Sequence, residues 1–139
     1  ILLVRFDFPN RTVWATPGGG IDEGESDEAA LRRELREEAG IEEFDLGPLI
    51  WTRTHHVPFG RGRWDGQTER FYLVRTRPFD PAPRLTWEQL RDEGVTDVRW
   101  WTAEELEAAD ALFAPSRLPL LIGTLLADGP PAEPIDVGV

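Results

Sequence analysis

The chain opens on Ile1-Leu2-Leu3-Val4-Arg5-Phe6, an apolar, β-branched run that predicts a buried strand. Asp7 to Arg11 carries turn residues, and Val13-Trp14-Ala15 predicts a short extended piece before Pro17. From Ser26 to Gly40 the pattern becomes helical. Ser26 suits an N-cap, Asp27 and Glu28 complement the helix dipole, and Gly40 stands where a left-handed cap ends a helix. Leu46 to Thr54 and Thr68 to Thr76 predict two strands around a loop rich in glycine, arginine and aromatics. Val95 to Trp101 predicts another strand. Thr102-Ala103-Glu104-Glu105 matches a capping box, opening a helix to about Ala109. Ser116 to Ala127 predicts a last helix, which tolerates Pro119 only in its first turns. The proline-containing stretch from Gly129 predicts an extended tail. Interleaved strands and helices imply an α/β or α+β class, a single domain over residues 1–128 and a tail over 129–139.

Helical periodicity puts Glu34, Glu37 and Glu38 within an arc of roughly 100°, with Leu31 and Leu35 beside it. The expectation is a helix docked by its leucines, showing three carboxylates at the margin. Like charges so placed repel by about 0.2–0.5 kcal/mol per pair in an isolated helix. Such a cluster suits a hard, oxygen-seeking cation, magnesium above all. Taken alone, a glutamate-rich face is more commonly just solvated.

Composition narrows the chemistry. The formal charge of −11 opposes a nucleic-acid polymer as partner, although a cation and local arginines can reverse the field within one cleft. Cysteine is absent, which excludes thiolate nucleophiles and thiolate metal sites. All 15 Lys/Arg residues are arginine, so a P-loop lysine and a Schiff-base lysine are excluded too. No apolar run of about 18 residues predicts a membrane span, no signal peptide is visible, and the cytoplasm is the default compartment. Methionine is absent, so the native start is expected upstream of Ile1.

Residues 19–41 change the weight given to the glutamates. Gly19, Glu25, Arg33, Glu34, Leu35, Glu37, Glu38, Gly40 and Ile41 fill every specified position of Gly-x5-Glu-x7-Arg-Glu-U-x-Glu-Glu-x-Gly-U, where U is bulky and aliphatic. The segment resembles the signature of the Nudix hydrolase family. That resemblance implies an α/β/α sandwich with a mixed sheet, lacking in this sequence the strand that usually precedes the one at Ile1. It implies hydrolysis of a diphosphate linkage in a nucleotide-like small molecule by metal-activated water, with Mg2+ as cofactor and Mn2+ able to substitute. By position, Glu34, Glu37 and Glu38 resemble metal ligands, joined by the backbone carbonyl of Gly18. Glu25 and Arg33 resemble an ion pair that orients the ligand helix. Gly19 is expected to permit a tight loop.

The general base varies within the family. The candidates here are the box glutamate Glu37, then Glu93 in a loop ahead of Val95, then Glu69 at the start of a strand, with Glu93 preferred to Glu69. A second cluster holds Arg53, His55, His56, Arg61, Arg63, Trp64 and Arg70. Guanidinium groups suit phosphates and an aromatic suits a base, so Arg53, Arg61, Arg63, Arg70 and Trp64 are the candidate substrate-binding residues. Pairing with nearby carboxylates is the equal alternative. A non-catalytic Nudix-like nucleotide or sugar-phosphate sensor is the rival function, and it is disfavoured because the box keeps every carboxylate. An EF-hand spacing is missing from Asp22–Glu28, and Ser26 and Ser116 read as helix caps and not nucleophiles. No substrate-specific motif is apparent, and the oligomeric state, including a homodimer, stays open.

Overall fold

The computed structural model describes residues 1–59 and 63–138, with the backbone alone at 56–59 and 63–65. It is a mixed α+β fold, and its chain packs as two units, residues 1–44 with 76–114 and residues 45–75 with 115–139. In the first unit, β1 (Leu2–Phe8) and β2 (Arg11–Ala15) form a hairpin, with Val4 opposite Ala15 and Phe8 opposite Arg11. β5 (Val95–Trp100) pairs antiparallel with the other edge of β1, and β6 (Leu112–Ala114) runs parallel to β2. The order β5-β1-β2-β6 makes β1 an inner strand. Its continuous Leu2-Leu3-Val4 run is therefore buried throughout and does not alternate.

This unit also holds α1 (Asp27–Ala39), α2 (Trp87–Asp92) and α3 (Ala103–Ala108). The residues buried on α1 are Ala30, Glu34, Leu35, Glu38 and Ala39, while Leu31 is half-buried. The expected margin of carboxylates is thus partly inside. The core accepts α1 through Leu35 and two alanines, whose small side chains bring the glutamates down with them. A further difference is α2, which apolar periodicity does not announce because only Leu90 is buried on it. A capping box of Thr86 and Gln89 starts it. Glu93, expected in an open loop, is its C-cap, with its N–H donating to Gln89 and Leu90 carbonyls.

The second unit is built on a long antiparallel hairpin, β3 (Asp45–Phe59) and β4 (Arg63–Arg75). Both strands run past their expected limits of Thr54 and Thr68, because the register continues from His55 opposite Gln67 to Phe59 opposite Arg63. Composition alone made that stretch read as loop. Glu69 consequently lies inside β4 and does not begin it. The second unit is completed by α4 (Leu118–Asp128), with Pro119 in its first turn, and by β7 (Ile135–Asp136), parallel to β3. Part of the expected extended tail is therefore strand, and Val137 donates its N–H to Thr52 O at 2.9 Å. Among the described residues, no helix is long and apolar enough to cross a membrane.

Candidate active site

Local signals on α1 act as their chemistry dictates. The Ser26 hydroxyl accepts from Ala29 N at 3.1 Å, and Gly40 ends the helix at φ 75°, donating to Arg36 O at 3.0 Å. Between these caps Arg33 reaches back to the preceding loop. Its Nε and Nη2 donate to the two Glu25 oxygens at 3.0 and 2.9 Å, Nη2 also to Gly20 O at 2.9 Å, and Nη1 to Glu34 at 2.7 Å. Glu37 lies 3.6 Å from the same Nη1. One guanidinium therefore ties the loop to two of the three clustered carboxylates. Hydrogen bonds from Arg33, then from the Asp22 N–H, hold the Glu25 carboxyl down at about 2. Glu25 and Glu34 in return raise the Arg33 guanidinium above its ordinary range.

Burial works against the two inner carboxylates, and only one of them has a cation beside it. Burial raises Glu34 above its ordinary value, the Arg33 contacts oppose this, and the charges of Glu37 and Glu93 add to it. Glu38 is 2% exposed and pushed up to about 8, first by burial, with Glu34, Glu93 and Glu37 contributing; a 3.0 Å hydrogen bond from Gly18 N opposes this. Among the described residues no cation pairs with Glu38. Glu93 acts on both buried glutamates, which brings it within electrostatic reach of the box from the end of α2.

Gly18 meets the site through its N–H and adopts φ 152°, a region open mainly to glycine. Gly19 does something other than turn tightly. Its φ is outside the left-handed region, but a Cβ there would fall on the Glu34 carboxylate, 2.6 Å from Cδ. Glycine at this position gives the Glu34 carboxylate its space.

In the second unit, Arg53 donates to both Glu69 oxygens at 2.9 and 2.8 Å, and His55 Nε2 lies 3.2 Å from Glu69 Oε1. Arg53 is thus engaged by a carboxylate directly across the hairpin. Arg70 also has partners. Arg61 lies outside the described residues, as do the side chains of His56, Pro58, Phe59, Arg63 and Trp64.

The family model for the NUDIX domain matches residues 1–121. The chain belongs to the Nudix family. Its Nudix relatives include an RNA pyrophosphohydrolase of Sulfurovum sp., 44% identical over 72 residues, covering 48% of this chain and 46% of the relative. Nudix hydrolase 25 of Arabidopsis thaliana is 34% identical over 106 residues, covering 67% and 59% respectively. The chain spans roughly half the length of these curated relatives. The E. coli ORF135 protein shares the fold with a TM-score of 0.56 at 26% identity, covering 96% of this chain and 85% of that one. A C. elegans Ap4A hydrolase complex gives 0.55 at 22%, covering 91% and 86%, a likeness of fold alone.

Nudix proteins generally use a divalent cation such as Mg2+. The donors of this Nudix box fit one by charge, hardness and burial, since two carboxylates are held inside and one has no counter-charge. Among the described residues no three acidic or histidine side chains converge on a single point, so sharing an ion would require the carboxylates to turn. Sequence reasoning missed the Gly20 carbonyl that anchors Arg33 and the backbone clamp on the end of α1. In the clamp, Ala82, Arg84 and Leu85 donate their N–H groups to Ala39, Arg36 and Glu37 carbonyls at 3.0, 3.2 and 3.2 Å. The one signal was the alternation Pro81-Ala82-Pro83-Arg84, which keeps the chain extended and leaves donors only at alternate positions.

Proposed function

We propose that this chain is a Mg2+-dependent Nudix pyrophosphohydrolase that uses water to cleave a diphosphate linkage in a nucleoside diphosphate joined to another group. The observation that carries the reading is Glu38, a buried carboxylate beside two others and without a counter-ion among the described residues. An isolated buried charge is expensive unless a cation joins it. Glu34, Glu37 and Glu38 would hold Mg2+ or Mn2+, with the Gly18 carbonyl as a further oxygen. When bound, the ion neutralises phosphoryl charge and lowers the pKa of water. Arg33, braced by Glu25, keeps Glu34 and Glu37 on one side of the helix. Glu93 takes the proton of the attacking water, a role supported by the weight of its charge on Glu34 and Glu38. Glu37 and Glu69 are the lesser candidates, and Glu69 is already committed to Arg53 and His55.

Arg53, Arg61, Arg63, Arg70 and Trp64 are the groups chemically suited to grip substrate phosphates and base. The net charge of −11 favours a small substrate over a long polyanion. The test is turnover of ADP-ribose, a nucleoside diphosphate sugar and a short 5′-triphosphorylated RNA. The last is included because several relatives are named RNA pyrophosphohydrolase. Hydrolysis should need Mg2+ or Mn2+, stop in excess EDTA and return with added metal. Full turnover in EDTA, or tight nucleotide binding without hydrolysis in the presence of metal, would overturn the reading, the second in favour of a sensor.

A further inference from the structure

The segment Ala82–Leu85 lies against the C-terminal turn of α1 through the three backbone hydrogen bonds given above. It comes so close that a Cβ on Gly40 would strike the Ala82 carbonyl, so glycine is required there for space as well as for its left-handed backbone. Arg84 Nη2 adds a 2.7 Å bond to Glu42, beyond the helix end. The same segment leads directly into Thr86, whose hydroxyl accepts from Gln89 N at 3.1 Å to cap α2. Six helical residues later α2 ends on Glu93. One path, hydrogen-bonded at the carbonyls of Arg36, Glu37 and Ala39 and covalent from Ala82 onward, thus runs to the carboxylate whose charge bears on Glu34 and Glu38. At no point does it pass through a loop without backbone hydrogen bonds to α1 or α2.

We infer that residues 82–85 form a positioning strap that sets the place of Glu93 relative to the glutamates of α1. Glu37 and Ala39 offer late-turn carbonyls that a helix leaves without internal partners, and Arg36 O, which already accepts from Gly40 N, takes a second donor. The strap uses them as fixed points, so α2 is referenced to the ligand-bearing helix and not to the sheet alone. The consequence is specific: loosening the strap should move Glu93 and leave the box itself intact. This inference rests on the role proposed for Glu93, but the strap's geometry can be tested without that role.

The absence of cysteine allows unique spin labels. Arg36→Cys and Arg91→Cys, both at exposed positions, carry labels on α1 and α2. Pulsed electron resonance then reads the distance between the helices in metal-free protein. Gly40→Asn is the perturbation, since asparagine tolerates the left-handed backbone yet places a Cβ against Ala82. The distance distribution should shift or broaden, while Mn2+ affinity, read from the free-ion resonance signal, stays within about threefold. For the unlabelled variant kcat should fall about 10²-fold, the scale of a misplacement near 1 Å, with KM little changed. If Gly40→Asn does not fold, Ala82→Pro, which deletes one clamp donor, is read in the same way. An unchanged distance distribution overturns the strap. A shifted distribution with kcat intact overturns its link to Glu93, and loss of Mn2+ binding in parallel shows that the strap holds α1 itself. Should the wild type bind no Mn2+, the proposed function fails, while the distance measurement still decides the strap.

Discussion

Gly19→Ala isolates Glu34, a proposed metal ligand, from nearly everything else in the fold. The backbone at Gly19 is not left-handed, so alanine brings no conformational strain of its own. Its Cβ would stand 2.6 Å from Glu34 Cδ and 2.9 Å from Oε2. Comfortable carbon contacts begin near 3.5 Å, so the carboxylate must retreat by about 1 Å. The far end of a side chain can move that far more easily than backbone can. Overpacking and a weakened Arg33–Glu34 bond together should lower stability by about 1–3 kcal/mol. Function should suffer more. A ligand shifted by that amount should weaken Mn2+ binding by about 10–100-fold and slow turnover by about 10²-fold. Gly20→Ala is the matched control, since a Cβ there meets nothing within 4 Å. Mn2+ titration, single-turnover rates and urea unfolding of both variants complete the comparison. If Gly19→Ala binds Mn2+ and turns over within about threefold of wild type, the clearance argument is wrong and Glu34 is not confined as described.

Glu38→Gln should cut turnover by roughly 10²-fold or more, while the metal-free protein keeps or gains stability in urea near neutral pH, because a carboxyl that must take up a proton to be buried has gone; marked unfolding would refute this. Glu93→Gln should lower the rate about 10²–10⁴-fold and remove the acidic limb of the pH–rate profile, with metal affinity unchanged. Retention of rate and limb would pass the role to Glu37 or Glu69. Glu25 gives a stability prediction with a definite sign. Its carboxyl is held at about 2 in the folded chain against an ordinary 4.5, so its contribution is present above 4.5 and fades as pH falls toward 2. Glu25→Gln should therefore flatten the loss of stability across that window in metal-free protein, and an unchanged slope would remove the Glu25–Arg33 pair as its cause.

What could be read from sequence was what acts locally. Ser26, Thr102 and Gly40 satisfy backbone groups within a turn of themselves, so the ends of α1 and the start of α3 were legible. Leu2 to Val4 was legible for another reason, since an unbroken apolar run suits an inner strand. The limits of β3 and β4 were not, because the pairing of His55 to Phe59 depends on a partner strand and not on composition. Nor was α2, which buries one leucine and relies on its cap. At the site, nine box positions were visible as letters, but the reason for Gly19 was not. A glycine needed for space looks the same in sequence as one needed for a turn. The competition for Arg53 was similarly hidden, since Glu69 becomes its partner only through the register of the hairpin.

The charges of α1 make a further point about why the box reads as functional. A helix that buries two glutamates violates the pattern that lets helices dock, and such local violations are expected where function requires them. The structure offsets the violation unequally. Glu34 receives the Arg33 guanidinium, which is itself anchored by Glu25 and the Gly20 carbonyl. Glu38 receives a single backbone N–H and faces the charges of Glu34, Glu93 and Glu37. A purely structural role for these residues would predict the reverse, because Glu38 is the more deeply buried of the two and has more need of a counter-charge. A solvated-surface role would predict that neither is buried. The folded chain thus compensates the outer carboxylate itself and leaves the inner one to be neutralised by a proton or, on the function proposed above, by a bound cation.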